Sequence, residues 1–199
     1  MNTQRQWYSG AAMLVPIFLG HSVILLFLEP AMGFKNMADF FDLAKVVPAL
    51  GSAAWFVSNM LHIALGTTLL LFQSELRQPD ATRRDFAADC CLAAAPLFVV
   101  VGMSGFVGEA LLNIMQANSA GRDAALYGLL AVRTMVLIAG VALLGLMILS
   151  VSLRKNMAKS WLRLLGLPIG LAALLFVLVP TPAPVLLFVW FLAFNFGRQ

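Results

Sequence analysis

What most constrains this chain is a series of long apolar stretches separated by short polar turns. Six can be placed, near Ser9–Leu28, Pro48–Phe72, Ala87–Met115, Ala124–Leu153, Leu162–Val179 and Ala183–Phe196. A helix needs about 20 apolar residues to cross the ~30 Å hydrocarbon core of a bilayer. The third and fourth stretches exceed that length, which implies tilt or extension beyond the bilayer. The last has ~14 residues, and at 1.5 Å per residue it reaches only about 21 Å. No polar segment is long enough to form a soluble domain, so residues 1–199 read as one all-α polytopic transmembrane bundle of about six spans. Composition agrees: 61% of the residues are hydrophobic and 11% charged, against about 25% charged in soluble domains. The segment after Arg5 lacks a small-x-small cleavage pattern and reads as a first span rather than a signal peptide.

Between the first two spans, Met37, Phe40, Phe41, Ala44 and Val47 recur at helical spacing, with Asp39, Asp42 and Lys45 on the other side. That pattern predicts a short amphipathic helix lying in the outer interface over Met37–Val47. Pro48 then marks the turn into the second span. Orientation follows from the basic residues. Arg5, Arg77, Arg83, Arg84, Arg154, Lys155, Lys159, Arg163 and Arg198 fall on one side, nine in all. Lys35, Lys45 and Arg122 fall on the other, and Arg133 lies within a span. The positive-inside rule then sets both termini in the cytoplasm of a bacterial inner membrane. Trp7, Tyr8 and Trp161 take the inner aromatic belt and Tyr127 the outer one. No basic face exists apart from these flanks, so nucleic acid is excluded as a partner. The expected partners are the lipid bilayer and other membrane-protein subunits.

Two opposite charges, Glu109 and Arg133, lie in neighbouring spans, each about twelve residues from the turn at Gly121. An antiparallel hairpin centred there brings them to the same depth. A charge facing lipid costs at least ~3 kcal/mol on insertion scales, so an ion pair between them is the simplest expectation. Asn113, one turn beyond Glu109, completes this intramembrane polar centre. Gly102, Gly105 and Gly108 recur every three residues just before it and invite close approach by another helix.

The only histidines, His21 and His62, fall inside the first and second spans. Counted from the outer ends of those spans, their depths differ by ~10 Å at the helical rise. Asn59 shares a face with His62. Interhelical hydrogen bonding is the ordinary role for such residues. The alternatives are proton or ligand handling, or bis-imidazole ligation of a b-type haem, which needs an axial nitrogen on each side of the iron. Two histidines without a third ligand do not make a catalytic zinc site. Cys90 and Cys91, adjacent in sequence, suit neither an ordinary disulfide nor a C-x2-C metal site and read as buried thiols. No Gly-rich phosphate loop, paired-carboxylate site or Ser/His/Asp arrangement supports an enzyme.

The run LLGLMILSVSLRKNMAKSWLRLLGLPIGLAALL joins a long helix, a basic turn and a helix opening with Trp161, Leu162, Gly166 and Gly170. It resembles uncharacterised bacterial six-helix integral membrane protein families over about a sixth of the chain. The resemblance implies the six-helix fold and assigns no functional residue. The function expected from the residues is non-enzymatic: an accessory or binding subunit of a larger membrane complex, with no cofactor. A small transporter or channel built on Glu109–Arg133 is one alternative. A bis-His haem electron-transfer protein using His21 and His62 is the other.

Overall fold

A computed structural model of the chain describes residues 9–35, 37–77, 85–115, 119–154, 159–177 and 183–197. Arg5, Trp7, Tyr8, Arg83, Arg84, Lys155 and Arg198, used above for orientation, lie outside them, as does the end of the fifth apolar stretch. The described residues form seven helices and no strand: α1 (Gly10–Ala31), α2 (Leu43–Leu50), α3 (Ala53–Leu76), α4 (Phe86–Ile114), α5 (Ala120–Leu153), α6 (Ser160–Leu174) and α7 (Ala183–Gly197). Of these, α1, α3, α4 and α5 are each long and apolar enough to cross a membrane. The chain is thus an all-α, multi-pass membrane bundle. At fifteen residues each, α6 and α7 cover only about 22 Å.

Capping residues set where the helices begin. Ser9, Ser52 and Ser119 each accept a hydrogen bond from the backbone N–H three residues on, and Asp85 accepts from Ala87 and Ala88. Each cap satisfies a backbone donor that the first helical turn leaves unpaired. The Ser52 cap corrects the expected start of the second span, which is Ala53 and not Pro48. Pro48 lies inside α2 instead. The expected interfacial helix over Met37–Val47 is also broken. A 3-10 turn covers Met37–Phe41, and Asp42, with extended backbone, accepts from Ala44 N and starts α2 afresh.

The six longer helices close into a ring. The chain-order neighbours α3–α4, α4–α5, α5–α6 and α6–α7 pack on one another, α1 packs on α3, and α7 closes the circle against α1. Close approach depends on glycine where a Cβ has no room. A Cβ at Gly66 of α3 would lie 2.5 Å from the Ala95 carbonyl oxygen of α4, and one at Gly145 of α5 would lie 2.8 Å from that of Gly170 in α6. Gly102 and Gly105 serve the same purpose in α4: the helix they admit is α3, whose Asn59 lies directly over Gly105.

The two ends of the ring differ. One end, reached by Gly10, Leu76, Phe86, Leu153, Ser160 and Gly197, is tightly filled. Phe72, Trp190, Phe191 and Phe194 are all buried there, with ring centroids 4.9–5.7 Å apart in four contacts. Polar clasps seal it. Asn195 of α7 donates to the Ala11 carbonyl at 2.9 Å, Glu75 accepts from Gly10 N, and Arg154 donates to the Leu76 carbonyl and pairs with Asp85. Cys91 is fully buried nearby and its thiol donates to the Leu69 carbonyl. Cys90 is a buried free thiol as well. At the other end, α1 and α5 continue past the level of the last described residues of α6 and the first of α7. With no extensive contact between α1 and α5 there, the ring is left with a cavity.

Candidate functional site

The cavity has a volume of about 160 Å³. Its walls come from α1 (Phe18, His21, Ile24, Glu29), α3 (Trp55, Ser58, His62), α4 (Phe98), α5 (Leu130, Arg133, Thr134, Leu137) and the near ends of α6 and α7 (Phe176, Leu187). Met32, Phe34 and Phe40 of the segment between α1 and α2 roof it. The site is mostly aromatic and aliphatic, with one carboxylate, one guanidinium and two imidazoles.

A local irregularity in α1 brings Glu29 to this wall. Residues Ile24–Leu28 form a π turn just ahead of Pro30. On a regular helix Glu29 would sit about 80° around the axis from His21. The π turn takes one residue more than an α turn. Glu29 therefore follows His21 as an i+7 residue would, back on the same face. Pro30 has no N–H to give and crowds the carbonyl four residues earlier, which loosens the helix at this point. Gly33, at φ 91°, then turns the chain into the roof.

Arg133 is held by three contacts. Its Nη1 donates to the Val101 carbonyl at 2.6 Å and reaches the Ser104 hydroxyl at 3.4 Å. Its guanidinium lies over the Trp55 ring, 4.9 Å from the centroid, a cation–π contact of the kind that strengthens away from water. Glu29 is the carboxylate that lines the same cavity, and no ion pair joins it to Arg133 among the described residues. No ion pair joins Arg133 to Glu109 among the described residues, which corrects the expected polar centre. The reason is register. α4 ends at Ile114 and α5 begins at Ala120, so the hairpin is centred several residues before Gly121, and Arg133 comes level with Val101. Glu109 lies five to eight residues nearer the end of α4 than Ser104 and Val101, roughly 8–12 Å away along the axis. Asn113 is exposed near that end, and neither residue lines the cavity.

The histidines do meet. Their ring centroids lie 4.4 Å apart with planes at 86°, and each side chain is 8% exposed. The expected depth difference vanishes because α1 runs on to Ala31 and α3 starts only at Ala53. His21 is ten residues from one of those ends and His62 nine from the other, at the same level. Each ring engages its own helix: His21 Nδ1 donates to the Ile17 carbonyl at 3.0 Å, and His62 Nδ1 donates to that of Ser58 at 2.7 Å. A neutral imidazole with its proton on Nδ1 offers Nε2 as an acceptor. His21 Nε2 is buried with no partner, as is the Trp55 indole Nε1–H. One iron held coaxially by both rings would need their centroids about 6 Å apart, counting two metal–nitrogen bonds of ~2 Å and the reach to each ring centre. The two rings instead touch edge to face, with no space for a porphyrin between them. Among the described residues no group of three or more His, Cys, Asp or Glu converges to hold a metal ion. Asn59 belongs elsewhere: it is fully buried against Gly105, between α3 and α4, and does not line the cavity.

The roof is organised by Asp39. Its carboxylate accepts from Lys35 N at 2.6 Å and pairs with Lys45, and Phe34 stacks on Phe40 with centroids 4.7 Å apart. The hydrogen bond to Asp39 holds the Lys45 ammonium above the ordinary lysine range. Below the roof, Phe34, Val46, Ala49, Leu50, Trp55, Leu126 and Leu130 form a small apolar cluster separate from the main core. Sequence reasoning missed Glu29, Trp55 and Thr134, whereas Ser58 was legible from its place on the His62 face of its helix. The available signal for Glu29 was its place just before Pro30, at the end of an apolar run long enough to include it. Comparison of the chain with protein-family models, with curated proteins and with solved structures finds no match.

Proposed function

We propose that this chain is a binding protein of the bacterial inner membrane. Its cavity takes the polar head of a lipid-soluble molecule while the rest of that molecule stays in the bilayer. One observation carries this reading: Glu29, Arg133, His21 and His62 gather from three spans at one aromatic-walled cavity. Ionisable groups are expensive inside a membrane and collect where something uses them. Ligand pockets have this character, apolar walls with a few convergent polar groups. Conduction is supported less well. The cavity's polar groups stop at the level of His21 and His62, and the far end is closed by the packed rings around Trp190. The basic residues Arg77, Arg154, Lys159 and Arg163 lie at that closed end, and Lys35, Lys45 and Arg122 at the cavity end. This supports an orientation with the closed end cytoplasmic. Trp161 and Tyr127, both exposed, lie toward opposite ends and fit the two aromatic belts. The binding role suits a subunit that presents or holds a molecule for a larger complex.

The test fills the cavity. Thr134→Trp and the milder Leu137→Phe project bulk into it from α5. Native mass spectrometry of protein released from membranes should show a retained small molecule in the wild type, depleted in both variants while they remain monodisperse. Identical retained species in all three proteins would refute the binding reading.

A further inference from the structure

Building on that binding reading, we infer that the head group is a small zwitterion of the phosphoethanolamine kind, its oxyanion on Arg133 and its primary ammonium on Glu29. Arg133 supplies the first half. A guanidinium carries five N–H donors in a planar fork. Those of Arg133 that meet protein leave from Nη1, toward the Val101 carbonyl and the Ser104 hydroxyl, while Trp55 covers one face of the plane. The edge formed by Nε and Nη2 has no protein partner among the described residues. Neither atom is sealed off as the Trp55 indole nitrogen is, and the part-exposed Arg133 borders the cavity. Two parallel N–H groups on one edge are the fork that takes a phosphate or carboxylate through two hydrogen bonds.

Glu29 supplies the second half. Its side chain also borders the cavity, part-exposed, with neither a hydrogen bond nor an ion pair among the described residues. It lies at the depth of the guanidinium. The two imidazoles touch on antiparallel helices. Glu29, eight residues after His21, and Trp55, seven before His62, therefore both lie about 10 Å nearer the roof. The guanidinium sits on that same Trp55 ring. One level of one cavity thus presents an unpaired carboxylate and an open guanidinium edge on different walls. An anionic head answers Arg133 and is repelled by Glu29, and a cationic head does the reverse. A neutral head leaves both charges without a counter-charge, which is costly inside a membrane. A zwitterion answers both. Its ammonium is primary because carboxylate oxygens only accept, and an –NH3+ group offers three donors where a trimethylammonium offers none. Size agrees: a cavity of about 160 Å³ is close to the ~150 Å³ that admits one benzene ring in a protein core, so a head of few atoms enters and the acyl chains stay outside.

The experiment uses the full chain in nanodiscs of phosphatidylethanolamine, phosphatidylglycerol and phosphatidylcholine at equal mole fraction with identical acyl chains. Cavity occupancy is the retention that Thr134→Trp or Leu137→Phe removes, read by native mass spectrometry. Hydrogen bonds to a charged partner should favour phosphatidylethanolamine about tenfold over either competitor in the wild type. Glu29→Gln removes both the ammonium's partner and the repulsion, so phosphatidylglycerol should rise to at least equal phosphatidylethanolamine. Arg133→Gln should abolish cavity retention of all three. Should Arg133→Gln fail to fold, the wild type and Glu29→Gln decide alone. Four results overturn the zwitterion: no preference for phosphatidylethanolamine over either competitor, a preference for one of them, an unchanged preference in Glu29→Gln, or retention by a folded Arg133→Gln. Each leaves the binding reading intact if the wild type holds some molecule, added or native, that Thr134→Trp excludes. If no molecule is held in that way, both readings fail together.

Discussion

The two ends of this helix ring are built from the same kinds of residue and reach opposite packing states. At the closed end, six helices meet, and Trp190, Phe72, Phe191 and Phe194 fill the space between them to near-complete burial. At the cavity end helices α6 and α7 have ended, α1 and α5 make no extensive contact, and a roof of Phe34 and Phe40 covers the gap. The difference comes from helix length, not composition. Two fifteen-residue helices beside one of 34 residues leave part of the longer helix without a helical neighbour. His21, Glu29, His62 and Arg133 border the space left over, where they need not face lipid.

The largest expected contrast tests that difference. Trp190→Ala removes a fully buried ring from the shared core and should lower global stability by about 3–5 kcal/mol, measured by unfolding in mixed SDS micelles. Phe34→Ala, equally buried but confined to the small roof cluster, should open the roof locally and cost less globally, since such satellite segments unfold below the global free energy. Equal losses for the two variants would mean that the ends form one cooperative unit and that the contrast is only geometric.

Charge coupling within the cavity comes next in size. Double-mutant cycles on Glu29→Gln with Arg133→Gln should give an interaction energy beyond ~0.5 kcal/mol, because the two share one cavity. The same cycle on Glu109→Gln with Arg133→Gln should add within ~0.5 kcal/mol, as separated sites do. Coupling found for Glu109 and absent for Glu29 would reinstate the hairpin register centred on Gly121.

These pairings show what could be read from the sequence and what could not. Apolar run lengths revealed the helical bundle and the membrane, and both histidines and Arg133 were visible as polar residues inside spans. Their partners were not visible, because depth is counted from helix ends. Moving the first span's end from Leu28 to Ala31 and the second's start from Pro48 to Ala53 shifts apparent depth by about 5 and 8 Å at 1.5 Å per residue. That is enough to separate His21 from His62 on paper when they touch in the bundle. The same kind of shift moved Arg133 from Glu109 to Val101. A cap such as Ser52 or Ser119 carries the boundary, but it looks like any other turn serine until the helix beyond it is known. The π turn is harder still: one inserted residue re-aims Glu29, and periodicity alone assigns it to the wrong face.

The smallest effect has a sign that differs between tight and open packing. Gly66 sits where α3 and α4 touch backbone to backbone, and a Cβ there meets the Ala95 carbonyl oxygen at 2.5 Å. Gly66→Ala must push the helices apart and should destabilise by about 1–3 kcal/mol, the usual cost of overpacking. Gly128 lies toward the cavity end of α5, exposed, with nothing within 4 Å of a built Cβ. There glycine contributes no close approach and only adds conformational freedom to the unfolded chain. Gly128→Ala should therefore stabilise by roughly 0.5–1 kcal/mol. Both are read from the same SDS unfolding curves. If Gly128→Ala destabilises as Gly66→Ala does, a helix or partner subunit covers that face of α5, and the open surface of the isolated chain becomes the place to look for it.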